Sequence, residues 1–287
     1  MKDLYLIAGV SKQALWKHKK RSLYKDSVTT HAVRIMTDIR KRHKRMSCRK
    51  MYYASSETLP VGRDIFEQIG FRNGFKVKVK RNAIKTTWGQ RVEVYPNLIA
   101  GLVLNNINQV WQSDIFYIAI AGKHSYGFTI IDVYSRKLLA VHIAKQMTAD
   151  ELLKAVKKAF ESRAGTHLQG CIIHSDRGSQ YISGEYKQII RQNKMQLSMC
   201  KMPQENAYAE RVQGTIKNEY MYEEQLTQQN IQRIANRTIK YYNEERPHNV
   251  LGNKTPTAFE KMITKMVKNT RPQMQLHKGF QALSTFN

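Results

Sequence analysis

Asp114, Asp176 and Glu210 are the residues from which a reaction is most readily built. Asp114 lies inside VWQSDIFYIAI, a run that is otherwise apolar or uncharged. A carboxylate buried in such a strand is costly unless it is paired or holds a metal. Asp176 closes the short apolar run CIIHSD, and ligand sites of α/β sheets gather at the carboxyl ends of strands. Gly178, two residues on, permits a sharp turn. Glu210 belongs to a helical stretch in which Val212, Ile216 and Tyr220 form one stripe. At about 100° per residue, Glu210 sits about 160° from Val212, off the buried stripe, and Lys217 within about 20° of Glu210. Three carboxylates are oxygen donors suited to hard divalent cations, and without a cation their mutual repulsion raises their proton affinity. Taken singly, each aspartate also fits a turn or helix cap, and on geometry alone Glu210 and Lys217 fit a solvent-facing pair.

The elements that must position these groups follow an α/β pattern. VWQSDIFYIAI, YGFTIIDVYS and KLLAVHIA read as strands, the last two separated by a turn at Ser135-Arg136. Residues 149–163 read as a helix, CIIHSD as a short buried strand, 184–193 as a helix and QLSMC as a strand. Helices over 206–222 and 228–245 complete the order, a mixed α/β arrangement. Upstream the chain is helical. Residues 1–20 read as two short helices around a tight turn, with Gly9 ending the first and Ser11 capping the second. That layout resembles a helix-turn-helix, with Lys12 and Gln13 on the exposed first turn of the second helix; an ordinary helical hairpin fits equally. Further helices are expected over 28–45, 47–55 and 62–69, with Gly70 as a stop. KVKVK (76–80) then alternates as a strand with one cationic face, so the region reads as a winged helix or as a charged linker bundle.

Composition sets the class of partner. The chain has 287 residues and 48 Lys+Arg against 22 Asp+Glu, a net charge of +26. Such a protein binds polyanions, nucleic acid first among them. Residues 1–100 hold 23 Lys/Arg and seven Asp/Glu, so the excess is concentrated at the front, as in a DNA-binding module joined to a more balanced domain. No run of 18 apolar residues suggests a membrane span, and the basic N-terminus lacks a secretory signal pattern. Cys48, Cys171 and Cys200 form neither a zinc pattern nor a disulfide framework, which suits a reducing, cytoplasmic compartment.

Four blocks carry a family resemblance. NQVWQSDIFYI, IIHSDRGSQYIS, ENAYAERVQGTIKNE and YYNEERPHNVLGNKTPTAFE, in that order, resemble the DDE transposases of bacterial insertion sequences and more loosely the retroviral integrases. The likeness is strongest to the type encoded in two overlapping frames, with this chain as the second-frame product. It implies a ribonuclease H-like core, a mixed five-stranded sheet with flanking helices, preceded by an all-α helix-turn-helix or winged-helix DNA-binding region. The implied domains are a helix-turn-helix at 1–27, a helical DNA-binding domain at 28–80, a linker at 81–105, the catalytic core at 106–262 and a basic tail at 263–287.

The resemblance carries Asp114, Asp176 and Glu210 onto the family's metal-binding catalytic carboxylates and Lys217 onto its DNA-contacting lysine. It implies two Mg²⁺ ions about 4 Å apart, with Mn²⁺ as a substitute, activating an attacking oxygen and stabilising a leaving one. Water and then a DNA 3′-OH would attack phosphodiesters in terminal inverted repeats and target DNA, with no covalent protein–DNA intermediate. A homo-oligomer on paired ends, a first-frame protein partner and a nucleoid-associated location are further expectations. Phe116 stands where Thr is typical and Glu205 where Asp is typical. Asp176 and Glu210 are 34 positions apart, two fewer than usual, which makes Glu205 the alternative third carboxylate. Arg177 and Gln180 are candidate phosphate contacts, as are Arg246 and His248, which alternatively brace the turn at Pro247. Asp132 reads as a turn cap, His174 as an orienting or structural histidine, and Trp111 as core. The competing functions are a non-catalytic DNA-binding protein derived from such an enzyme and a ribonuclease H-like structure-selective nuclease.

Overall fold

The structure, a computed structural model, describes residues 9–55, 59–77, 95–120, 122–222 and 224–276. The chain divides into two compact units, Met1–Arg81 and Asn82–Asn287.

In the first unit the described residues form helices α1 (Lys12–Arg42), α2 (Cys48–Ser55) and α3 (Arg63–Arg72). Ser11 caps α1, its hydroxyl accepting from the Ala14 amide at 3.1 Å. Sequence reading separates a helix ending near residue 20 from one starting at 28, but α1 runs unbroken through 31 residues. No Gly or Pro interrupts Arg21–Ser27, and the polar Ser22, Asp26 and Ser27 cost an exposed helix only a few tenths of a kcal/mol each, roughly. Val28, Ala32, Met36 and Ile39 are buried along its second half; residues 12–27 are exposed. Met36, Met46, Met51 and Phe66 fill the small core. Gly70 does not stop α3. It is buried within the helix, where an added Cβ would meet Cys48 Sγ at 2.7 Å and Met36 at 3.0 Å, so the bare backbone lets α3 approach α1 and α2. Lys76 and Val77 are irregular, not strand. The remainder of KVKVK, the connector 81–94 and the first expected N-terminal helix fall outside the described residues.

The second unit is built on a five-stranded sheet. After the two-residue strand β1 (Val103–Leu104) come β2 (Val110–Ile120), β3 (Lys123–Asp132) and β4 (Leu138–Ala144), then helix α4 (Ala149–Ser162) and β5 (Ile172–Ser175). Helix α5 (Gly184–Gln192), β6 (Gln196–Met199), α6 (Ala207–Thr215), α7 (Ile231–Glu244), α8 (Pro256–Thr264) and β7 (Met274–Gln275) follow. The sheet order is β4-β3-β2-β5-β6, with β2, β3 and β4 antiparallel and β2, β5 and β6 parallel. This is the mixed sheet of a ribonuclease H-like core. β1 pairs with β7 as a separate ribbon.

Side-chain alternation along β2 assigns its two faces. Trp111 joins Phe128, Ile130, Leu152, Val156, Ile173, Tyr186 and Ile190 against α4 and α5. Phe116, Ile118 and Ile120 join Ala209, Val212, Ile216, Ile231 and Tyr242 against α6 and α7. Asp114 is in phase with the second set. The helix that begins at α6 does not stay α-helical. From Ile216 to Met221 it widens to a π-helix, with the Tyr222 amide donating to the Lys217 carbonyl at 2.9 Å; the α-periodic pattern of 206–222 gives no sign of that change.

A buried ionic cluster fastens α8 to the sheet. Arg163 donates to both Glu260 oxygens at 2.9 and 2.6 Å and to Asp132 at 3.3 Å. Lys137 and Ser135 also donate to Glu260, at 2.8 and 2.7 Å. Asp132 does cap its turn, accepting from the Ser135 amide at 2.9 Å. Among the described residues, no helix is long and apolar enough to cross a membrane.

Candidate active site

β2 and β5 lie side by side and parallel, with Gln112 opposite His174. Continuing that register two places brings Asp176, just past the end of β5, alongside Asp114. Neighbouring strands are about 4.8 Å apart, so the two residues lie side by side where β5 ends and β2 continues. Glu210 projects from the first turn of α6, which packs on the Asp114 face of β2.

The charges of these groups bear on one another. Burial, followed by the negative charges of Asp176 and Glu210, pushes Asp114 up to about 8, although the Ile115 amide donates to it. Asp176 and Glu210 face solvent at the rim, yet both are walled in by neighbours on one side, and that partial enclosure raises each carboxyl above its ordinary range. The Gly178 amide donates to Asp176 at 3.1 Å and partly offsets the rise. A Cβ at Gly178 would meet Gln180 Oε1 at 2.8 Å and Asp176 Oδ1 at 3.2 Å, so a larger residue there would displace the ends of those side chains. Beneath the pair, Tyr181 and Ser113 share a buried hydrogen bond of 3.0 Å. The Cys200 thiol, enclosed near Asp176, is pushed up to about 12 and stays protonated.

Lys217 is half-buried and its ammonium lies 5.4 Å from the centroid of the Phe116 ring. Burial lowers its pKa, and the Asp114 charge offsets part of that. Phe116 fits because its partner on β3 is Gly127, where an added Cβ would approach the ring to 2.2 Å. The bulk of Phe116, in place of the smaller Thr, is accommodated by a bare backbone opposite.

Glu205 is turned to another task. Its Oε2 accepts from the Lys201 and Met202 amides at 2.5 and 3.2 Å, capping the short turn before α6. Arg177 donates to the Cys200 carbonyl at 2.9 Å. Gln180 is buried and donates to the Met147 carbonyl at 2.9 Å. Arg246 is buried in a two-pronged ion pair with Glu219, at 2.8 and 2.7 Å, and His248 packs edge-on against Tyr242 beside it. Gln180, Arg246 and His248 are buried in these contacts, and Arg177 is half-buried. Lys12 and Gln13 stand exposed on the first turn of α1. Trp111 is core, its indole donating to Asn108 at 3.2 Å. His174 is buried with Nδ1 2.8 Å from Ser198 Oγ, and burial depresses it to about 4, so it is a neutral tie between β5 and β6.

Sequence reading passed over two further residues. Gln112, in phase with Asp114, accepts from the Tyr208 and Ala209 amides at 3.1 and 3.2 Å and donates to the Glu205 carbonyl at 2.8 Å. Gln213, one turn beyond Glu210, has a buried Nε2 with no hydrogen-bond partner, and its amide lies beside Asp114 and favours the charged carboxylate. The even-numbered phase of β2 and the i+3 spacing were the available signals.

The donor set is all oxygen. Among the described residues, no three His, Cys, Asp or Glu form a closed metal-ligand group, since Glu210 stands at the rim and acts on Asp114 less than Asp176 does. The crowding of Asp114 by two like charges is nevertheless the arrangement a divalent cation relieves.

Residues 105–203 and 192–256 match two family models, each described as an integrase core domain. A Shigella sonnei protein described as the insertion element IS600 uncharacterized 31 kDa protein is 32% identical over 212 residues, covering 72% of this chain and 77% of that one. The transposase for insertion sequence element IS904 of Lactococcus lactis is 34% identical over 173 residues, 58% of this chain and 67% of that one. The HTLV-2 integrase catalytic core domain, solved in complex with magnesium, is 19% identical and aligns over 54% of this chain and 97% of its own with a TM-score of 0.43.

Proposed function

The chain belongs to the insertion-sequence transposases that carry an integrase core, and on that footing we propose that it cuts and joins DNA at Asp114, Asp176 and Glu210. One observation carries the reading: two aspartates side by side on adjacent parallel strands, Asp114 within β2 and Asp176 just past the end of β5, the first pushed to about 8 by burial and by its acidic neighbours. That is an unfavourable way to keep carboxylates in a metal-free core and a favourable way to hold hard cations. Asp114, Asp176 and Glu210 would hold Mg²⁺, and Mn²⁺ as a substitute. When bound, the ions lower the proton affinity of the attacking oxygen and neutralise charge on the leaving one.

The chain's own residues do the rest. The Tyr181–Ser113 hydrogen bond ties the turn after β5 to β2, and the Gly178 amide holds the Asp176 carboxylate. Lys217, kept from collapsing inward by the Phe116 ring, offers a cation to the phosphate of the strand being cut. In the first step water attacks a phosphodiester at the element end, one P–O bond forming as another breaks and a 3′-OH leaving. In the second step that 3′-OH attacks target DNA, one P–O bond again replacing another, so no external energy source is needed. The exposed basic stretch of α1 supplies duplex affinity through phosphate neutralisation, with terminal inverted repeats as the specific substrate and a homo-oligomer bringing two ends together.

The test is a labelled terminal-repeat duplex incubated with Mg²⁺ and either wild type or Asp176→Asn. Asn keeps the size and one oxygen but loses the charge that holds a cation. Cleavage and joining should both fall roughly a thousandfold or more, since several kcal/mol of transition-state stabilisation is lost, while folding and duplex binding persist. Near-normal joining by the variant refutes the mechanism; equal loss of folding assigns Asp176 a structural role.

A further inference from the structure

We propose that Gln112 is a positioning residue for the metal site, locking the helix that carries Glu210 to the strand that carries Asp114. The inference rests on the metal-dependent reading above. Gln112 is fully buried and lies one side-chain period before Asp114 on the same face of β2. Helix α6 lacks a side-chain cap from its own N-cap residue, Asn206, so its first amides need partners from elsewhere. Gln112 supplies them: one oxygen accepts from Tyr208 and Ala209, and its nitrogen donates to the Glu205 carbonyl. Asn206 completes the joint from the other side, donating to the Ser113 carbonyl at 3.1 Å. Residues 112 and 113, immediately before Asp114, thus hold residues 205–209, immediately before Glu210.

The position of the joint matters as much as its strength. Glu210 stands at the rim, and where its carboxylate falls depends on how the start of α6 is seated. The loop leading into α6 is anchored to itself by Glu205 and reaches the sheet through Gln112 and Asn206. A side chain that orients a ligand-bearing element typically governs metal affinity by about ten- to a hundredfold. Loss of the joint lets α6 shift relative to β2 and separates the third carboxylate from the first.

The experiment is a Mn²⁺ titration of the full-length, metal-stripped protein by calorimetry, well below each variant's melting midpoint. Gln112→Met keeps the length and fills the volume but makes none of the three hydrogen bonds. Gln112→Asn keeps the amide and is one methylene too short to span to α6, and it carries the test if the Met variant does not fold. Ile190→Ala, in the core on the opposite face of the sheet, controls for destabilisation alone. We expect Mn²⁺ affinity to fall about ten- to a hundredfold in Gln112→Met and less in Gln112→Asn, with Ile190→Ala at the wild-type value. Equal affinity in the Gln112 variants and the control overturns the inference. Absence of Mn²⁺ binding by wild type overturns the metal-dependent reading itself, and the inference with it.

Discussion

Replacing Asp114 by Asn should stabilise the metal-free protein, and increasingly so as pH rises. The folded carboxyl is pushed to about 8 from an ordinary value near 3.8. Below the ordinary value both folded and unfolded chains hold the proton and nothing is lost. Above it the unfolded chain releases the proton while the folded chain keeps it, so folding stability declines until the pH passes the folded value. At about 1.4 kcal/mol per unit the full penalty is on the order of 5 kcal/mol. Water at the rim screens part of it, because Asp114 is half-buried rather than sealed. Asn carries no proton to lose, and its oxygen can still accept from the Ile115 amide, now at 2.9 Å. For a unit of this size 1 kcal/mol moves the melting point by roughly 2–4 °C, so the variant should melt about 5–10 °C higher than wild type near pH 8. Near pH 5 the gap should shrink to a few degrees. The assay is scanning calorimetry of chelator-treated protein at the two pH values, repeated with Mg²⁺, which should raise wild type and leave the variant almost unmoved. A pH-independent difference, or a less stable variant at the higher pH, refutes the argument that like charge and burial strain this carboxyl.

Three further outcomes follow from the packing and the charge. Gly127→Ala places a Cβ 2.2–2.7 Å from the Phe116 ring and should cost about 1–3 kcal/mol in urea unfolding; adding Phe116→Leu should restore most of it, and a lack of rescue sinks the steric explanation. Arg163→Met leaves Asp132 and Glu260 buried without their cation and should destabilise by about 3–5 kcal/mol, read as a lower calorimetric midpoint; an unchanged midpoint contradicts the role of the cluster. Changing Lys17, Lys19, Lys20 and Arg21 to Gln should flatten the salt dependence of duplex binding by about 0.9 in log–log slope for each phosphate that is no longer neutralised. Fluorescence anisotropy across a salt series checks this, and an unaltered slope removes α1 from the DNA interface.

The sheet was readable because its strands are apolar and bounded by turns, and the two aspartates because a carboxylate inside such a run demands a reason. Glu210 was not readable in the same way. It stands at the rim, off the stripe of Val212 and Ile216, where an ordinary surface glutamate would also stand, and only the resemblance singled it out. Gln112 was hidden because a polar residue in an alternating strand draws no notice, and its partners are more than 90 residues away. The Arg163 cluster was hidden for the same reason, since Glu260 lies 97 positions further on. Arg246 and His248 read equally as DNA contacts or as braces of the turn at Pro247, and their burial against Glu219 and Tyr242 is a tertiary fact that no local pattern announces. The continuity of α1 was missed because Ser22, Asp26 and Ser27 mimic a boundary that the backbone does not take.

That continuity couples length to rotation. A rigid helix turns by about 100° and advances about 1.5 Å with each residue, so removing one residue near Ser27 would swing the lysines of the exposed stretch a quarter turn or more around the axis. Removing seven would return them to within about 20° of their original heading, some 10 Å nearer the three-helix core. Chains that lengthen or shorten this stretch while keeping its bearing should therefore do so in steps of seven, or of three and four together. A pair of glycines placed at the junction would free the basic stretch from that phase rule altogether.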